Sequence, residues 1–180
     1  MTLAIWRRRR LEKILLHEYA MLHRLAWSWC HNRHTADELV QETCLLAMEH
    51  VEQLKDNNKA RQWIVKIMVN LHHDRMRSLR ESVDVETLNL ASPDSVESLA
   101  LQEDRISQIR DAVASLKYDQ RIVLTLVDLM GYSYVQVAET LDIPIGTVMS
   151  RLTRARGKLK DKLLNHNAEA TGWPNLRRVK

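Results

Sequence analysis

Phenylalanine is absent from the 180 residues, and glycine (4), proline (3) and cysteine (2) are scarce. Aromatic residues make up 5% of the chain, against 45% hydrophobic residues in all. Sandwiches, barrels and nucleotide-binding α/β folds spend glycine in tight turns and aromatics in strands, so this composition disfavours all three. Two cysteines cannot build a disulfide framework, and Met1 to Arg10 lacks the apolar core of a signal peptide. No stretch approaches the ~18 uninterrupted apolar residues expected of a bilayer span. These absences predict an all-α protein, cytoplasmic, with reduced thiols and no membrane insertion. A chain of this length holds one domain or two of roughly 60 to 80 residues, each with a modest core.

Charge is present and unevenly placed. The net value is +4, but residues 1–80 carry 14 basic and 9 acidic side chains, residues 81–104 carry no basic and seven acidic ones, and residues 105–180 carry 13 and seven. Two basic blocks around an acidic strip suggest two modules that approach a polyanion, joined by a segment that avoids it or imitates it.

Hydrophobic spacing gives the modules their shape. Ile14, Leu15, Leu22, Leu25 and Ala26 mark an amphipathic helix over Leu11–Trp29, broken at Cys30 to His34. Thr35 followed by Glu38 has capping-box spacing and predicts a second helix from about Ala36 to Leu54. A polar turn at Lys55 to Asn58 precedes a third helix running toward Arg80. Periodicity fades from Glu81 to Asp104, around Pro93. The expected organisation is therefore a helical domain over 11–80, an acidic linker over 81–104 and a second helical domain over 105–165. The basic run Arg7 to Arg10 is expected to be a disordered terminus.

The second domain opens with Ile106, Ile109, Val113 and Leu116 on one helical face, followed by an apolar helix from Ile122 to Leu129 closed by Gly131. Ser133 and Gln136 repeat the capping-box spacing, and Asp142-Ile143-Pro144 turns into a further helix. This is a helix-turn-helix pattern. In its second helix Val148, Leu152, Ala155 and Leu159 face inward, leaving Ser150, Thr153, Arg154 and Gly157 opposite, with Met149, Arg151 and Lys158 on the flanks. A major groove admits one helix, arginine reads guanine bidentately, and hydroxyls reach phosphates or base edges. Ser150, Arg151, Thr153, Arg154, Arg156 and Lys158 are the candidate DNA contacts.

The run from Gly131 to Leu159, GYSYVQVAETLDIPIGTVMSRLTRARGKL, resembles the domain of bacterial extracytoplasmic-function (ECF) sigma factors that reads the promoter −35 element. DELVQET (Asp37–Thr43) is similar to that family's polymerase-clamp segment, and ARQWIVKIMVNLHHDRMR (Ala60–Arg77) resembles its −10 reader. The segments stand in the family's order. Ala60 replaces a usual aromatic, Lys117 a common proline and Met149 an often basic residue. The resemblance implies a protein without covalent chemistry that lends core RNA polymerase promoter specificity. It implies polymerase contacts at Glu38, Gln41 and Glu42, which recur on one helical face. It also implies −10 contacts at Arg61, Trp63, Lys66, Asn70, His73, Arg75 and Arg77, with Trp63 weighted toward a core role. Promoter DNA and core RNA polymerase are the implied partners, and an anti-sigma protein is a further family expectation.

A helix-turn-helix regulator that binds DNA independently of polymerase is the alternative reading, and it leaves DELVQE and the Asn70 segment unexplained. Cys30, His31, His34 and Cys44 lack the paired spacing of a closed zinc site, so no metal is expected. No phosphate-binding glycine loop, paired-acid motif or nucleophile with its base is present, so neither an enzyme nor a cofactor is expected. The tail from Trp173 to Lys180 carries no readable role.

Overall fold

The computed structural model describes residues 2–82 and 100–171, and side chains over 5–79 and 107–164. Most of the acidic linker and the tail from Trp173 to Lys180 lie outside the described residues. Among the described residues there are helices and no strands. The α1 helix (Thr2–Cys30), α2 (Arg33–Glu49) and α3 (Ala60–Ser82) form the first unit. The α4 helix (Ala100–Ala114), α5 (Tyr118–Leu124), α6 (Tyr134–Leu141) and α7 (Ile145–Thr171) form the second.

The apolar stripes predict the core well. Leu15, Leu22, Leu25 and Ala26 of α1 are buried, and they meet Leu39 and Val40 of α2 and Ile64, Val65 and Met68 of α3. In the second unit Val148, Leu152 and Ala155 of α7 close on Ile122, Val123, Leu126 and Val137. Each such leucine, isoleucine, valine or methionine contributes about 1.5–3 kcal/mol by leaving water. The two sets belong to one continuous cluster, because α3 packs on α6 and α1 packs on α4 and α5.

Four local expectations are corrected. The basic start is helical: Arg7 pairs with Glu52 at 2.9 Å and the Arg10 guanidinium lies 5.3 Å from the Trp6 ring centre, so α1 continues to its first turn instead of fraying at Arg10. Asn32, not Thr35, caps α2; its side-chain oxygen accepts from the Thr35 backbone N–H at 3.0 Å, which places Thr35 in the first turn. Glu38 meets His34 instead, at 3.4 Å. The α2 helix also stops at Glu49, and a short 3-10 turn (Val51–Gln53) takes the chain on to Leu54. Finally, Ile109 is 48% exposed, because α4 meets α1 and α7 through Ala112 and through Leu116 just beyond its end.

Other local features match. His31 takes a left-handed φ of 53° to end α1, and Gly131 does so at 70° behind a π-helical turn (Thr125–Leu129). Ser133 and Gln136 make both bonds of the capping box that starts α6. Asp142, at φ 53°, turns the chain out of α6, and the Pro144 carbonyl accepts from Thr147 and Val148 at the start of α7. Proline fits there because no backbone N–H is needed.

Candidate nucleic-acid interface

The helical repeat sorts the seven candidates on α3 into two groups. Trp63, Lys66, Asn70, His73 and Arg77 recur at intervals of three and four, and so share one face. Asn70, Lys66, His73 and Arg77 are exposed along it, while Trp63 is half-buried and packs against the core. Arg61 and Arg75 point the other way. Arg61 Nε lies 3.2 Å from Glu18 of α1, and Arg75 lies 2.6 Å from Glu42 and 3.8 Å from Glu38 of α2. These two guanidiniums brace α3 against its neighbours, so the arrangement separates them from the open face where a strand of nucleic acid would lie.

The Arg75 bridge ties the α2 candidates to α3. Glu38 and Gln41 are exposed and Glu42 is half-buried on α2. Glu38 and Gln41 line a shallow groove of about 450 Å³ with Asn32, Arg33, His34 and Asp37. The groove's carboxylates Asp37 and Glu38 stand with Gln41, Asn32, Arg33 and His34, and Glu38 and Glu42 both meet Arg75 of α3.

On α7 the side chains Ser150, Thr153, Arg154 and Lys158 are exposed. The two hydroxyls donate to carbonyls of their own helix, Ser150 to Thr147 at 3.1 Å and Thr153 to Met149 at 2.9 Å, leaving their lone pairs outward. Arg151 is held by Asp119 at 2.9 Å, and Arg156 by Asp128 at 2.5 Å. The Asp128 hydrogen bond raises the Arg156 pKa further above its ordinary range. Ser150, Thr153 and Arg154 therefore form the outward centre of the helix, with Arg151 and Arg156 fixed at its sides.

A polar seam, buried at Trp29 and Thr125 and exposed at Gln62 and Lys66, joins the two units, and composition and spacing gave no sign of it. The Trp29 indole N–H donates to Thr125 Oγ1 at 2.8 Å. His72 Nδ1 and the Tyr118 hydroxyl lie 3.0 Å apart with their rings stacked, and His73 tilts against the same ring. Arg121 donates to the Trp29 carbonyl at 3.3 Å and also meets His31 Nε2. Gln62 reaches the Gln136 carbonyl at 3.3 Å and Glu139 at 3.1 Å, and Lys66 donates to the Glu139 carbonyl at 3.3 Å. Burial, then the Arg121 charge, lowers the pKa of both His31 and His72 to about 4. Burial raises the Cys30 thiol to about 11 and raises Cys44 as well, so both are held as protonated thiols. Among the described residues no group of three or more His, Cys, Asp or Glu is gathered to hold a metal.

The family model for sigma-70 region 2 matches residues 15–82, and that for sigma-70 region 4 matches residues 106–159. The ECF RNA polymerase sigma factor EcfG of Rhodopseudomonas palustris is 33% identical over 147 residues, which cover 78% of each chain. SigW of Bacillus subtilis is 29% identical, with 79% of this chain and 82% of that one covered. SigE of Mycolicibacterium smegmatis is also 29% identical, and the match spans 82% of this chain but 59% of that longer protein. Among solved structures, the sigma factor RpoE in complex with the anti-sigma factor NepR, from Bartonella quintana, matches with a TM-score of 0.68 and 27% identity over 86% of this chain and 97% of that one. CnrH, solved with the cytosolic domain of CnrY, shares the fold with a TM-score of 0.66 at 21% identity, over 92% and 96%. With two sigma regions in order and a relative of this identity over most of both lengths, the chain belongs to the extracytoplasmic-function group of RNA polymerase sigma factors.

Proposed function

We propose that residues 11–80 seat the chain on core RNA polymerase and capture the −10 strand, that residues 105–165 read the −35 duplex, and that the acidic stretch 81–104 connects them. Contact with polymerase falls to Glu38, Gln41 and Glu42 around the α2 groove. On α3 the open face of Trp63, Lys66, Asn70, His73 and Arg77 takes the unpaired strand, while Arg61 and Arg75 act as braces. Holding a base out of its stack costs a few kcal/mol, which hydrogen bonds from Asn70 and cationic contacts to phosphate return. On α7 the contacts are Ser150, Thr153 and Arg154, with Lys158, Arg151 and Arg156 beside them. The chain itself performs no covalent step. Its place of work is the cytoplasm, where polymerase and promoter are. The similar RpoE is solved with an anti-sigma factor, and a protein of that kind is the expected inhibitor here.

One observation carries this reading: a half-buried aromatic, an amide, an imidazole and two cations share one face of α3, in the same chain as an outward hydroxyl-and-arginine face on a helix-turn-helix. The test is reconstituted transcription, using core polymerase and a library of promoter sequences. The chain should support initiation at a subset sharing −35 and −10 motifs, and the Gln41→Ala/Glu42→Ala variant should lose holoenzyme assembly while staying folded. Failure of well-folded, inhibitor-free protein to start transcription anywhere would overturn the proposal.

A further inference from the structure

We infer that the solvent side of α1 is a docking surface for an anionic lipid membrane, with the helix lying in the plane of the headgroups. Among the described residues no helix is long and apolar enough to cross a bilayer. None of the side chains concerned is among those assigned to polymerase or promoter. The sigma-70 region 2 match begins at residue 15, so Ile5 to Lys13 stand ahead of it.

The buried stripe of α1 runs through Leu11, Leu15, Leu22 and Leu25, and a helix with one packed face is expected to be polar on the other. This one is not. Ile5, Trp6, Leu16 and Tyr19 are 50%, 56%, 73% and 45% exposed. Ile5, Arg9, Leu16 and Tyr19 follow one another at intervals of four, seven and three, and Trp6 and Lys13 lie seven apart beside them, so the six share one side of the helix. From Ile5 to Tyr19 that side is roughly 21 Å long at the helical rise per residue.

Cations are interleaved with these apolar groups. Arg8, Arg9, Arg10 and Lys13 are exposed, whereas Arg7 is spent on Glu52 at 2.9 Å. Of the two acids between Ile5 and Ala20, Glu18 turns to Arg61 at 3.2 Å, which leaves Glu12 facing out among the cations. The Arg10 guanidinium, 5.3 Å from the Trp6 ring centre, holds an indole in the open beside the charge. Duplex DNA would be met by the cations alone and would leave the exposed Ile5, Trp6 and Leu16 without a use. A membrane surface takes both. Anionic headgroups draw the arginines and lysine, whose stems lie along the apolar boundary, while indole, phenol and aliphatic side chains enter it. Charge and apolar exposure together therefore select a lipid surface.

Co-sedimentation of the full chain with phosphatidylcholine vesicles, with and without phosphatidylglycerol, tests this. Each Lys or Arg near an anionic surface is worth about fivefold in affinity. The native chain should bind the mixed vesicles, and bind pure phosphatidylcholine roughly tenfold or more weakly. Arg8→Gln/Arg9→Gln/Lys13→Gln, which keeps Arg7 for the Glu52 bridge, should lose roughly tenfold or more on the mixed vesicles. Trp6→Ser/Leu16→Ser leaves every charge in place and should lose about as much. Circular dichroism should be unchanged in both variants, because every substituted side chain is exposed.

A native chain that stays in solution with the mixed vesicles would overturn the inference. Full binding by the serine variant, with the loss confined to the glutamine variant, would make the face a contact for any polyanion, nucleic acid included, and would overturn the lipid reading. Equal capture of the native chain and both variants would place the lipid contact elsewhere and overturn the assignment to α1.

Discussion

Helices α3 and α7 carry similar cations and dispose of them differently. On α3, Arg61 and Arg75 are spent on Glu18 and Glu42, Lys66 and His73 lean on the second unit, and Asn70 stands exposed among them. On α7, the central Ser150, Thr153 and Arg154 face outward, and the paired arginines Arg151 and Arg156 stand at the margins. A duplex offers a fixed array of phosphates and base edges, so a pre-formed outward face suits it. On α3 two of the candidate side chains are instead shared with the second unit. The difference between the helices thus lies in which unit engages their side chains, and it depends on how firmly the two units are joined.

The sharpest way to break that dependence is at Trp29. Trp29 is 3% exposed, its ring tilts against His72 and its indole N–H donates across the seam to Thr125. Trp29→Ala should cost about 3–5 kcal/mol. Urea unfolding followed by circular dichroism should show one transition for the native chain and two for the variant, because the shared cluster is what makes the units melt together. A single transition in both would mean that the units are coupled elsewhere.

Smaller effects should separate the two readers. Arg154→Ala should cost roughly 1–3 kcal/mol and relax one position of the −35 site where the proposed contact is to a base, and weaken all sequences alike where it is to a phosphate. Asn70→Ala should lower promoter opening, measured by permanganate reactivity, and leave −35 duplex binding unchanged. If Arg154→Ala impaired opening in the same proportion as Asn70→Ala, the assignment of separate tasks to α3 and α7 would fail.

How much of this was legible in the sequence follows the range of the interactions. The inward face of α7 could be read from Val148, Leu152 and Ala155, because a helical repeat is a local property, and all three are buried. The shared α2 face of Glu38, Gln41 and Glu42 followed from the same arithmetic, whereas the α3 candidates came from the resemblance and fall on two faces. The roles of Arg61 and Arg75 did not, since their acids Glu18 and Glu42 sit on other helices, and charge alone cannot tell a brace from a phosphate contact. Trp29 and Thr125 stand 96 residues apart, beyond any periodic signal. Gln62, Tyr118 and Arg121 escaped notice for that reason too: each gains its meaning from a partner in the other unit.

Protonation offers a gentler probe of the seam than mutation. His31 is lowered to about 4 by burial and then Arg121, with Asp111 opposing; His72 is lowered to about 4 by burial, then by Arg121, His73, Arg75 and His31. Tyr118 and Trp29 complete the surroundings of His72. The unfolded chain takes up protons near pH 6.5 that the folded seam refuses until about pH 4, so stability should fall as pH drops through that window and level off above it. Urea midpoints between pH 4 and pH 8 measure this slope. His72→Gln should reduce it, and an undiminished slope would show that His72 is not one of the responsible groups.

The smallest expected effects concern the helix starts, where the two units again differ. In the second unit the residue chosen by spacing is the cap: Ser133 Oγ accepts from the Gln136 N–H at 3.2 Å, while Gln136 Oε1 accepts from the Ser133 N–H at 2.9 Å. In the first unit Thr35 has equal spacing to Glu38, but Asn32, three residues earlier, takes the role. Its side-chain oxygen accepts from both the Thr35 N–H and the Thr35 hydroxyl. Ser133→Ala and Asn32→Ala should therefore each cost about 1 kcal/mol, and Thr35→Ala only a few tenths, since it leaves the Asn32 bond to the backbone intact. Thermal melts of the three variants would show the order. Equal losses at Thr35 and Asn32 would mean that the hydroxyl contributes as much as the cap, and that α2 begins where its spacing first suggested.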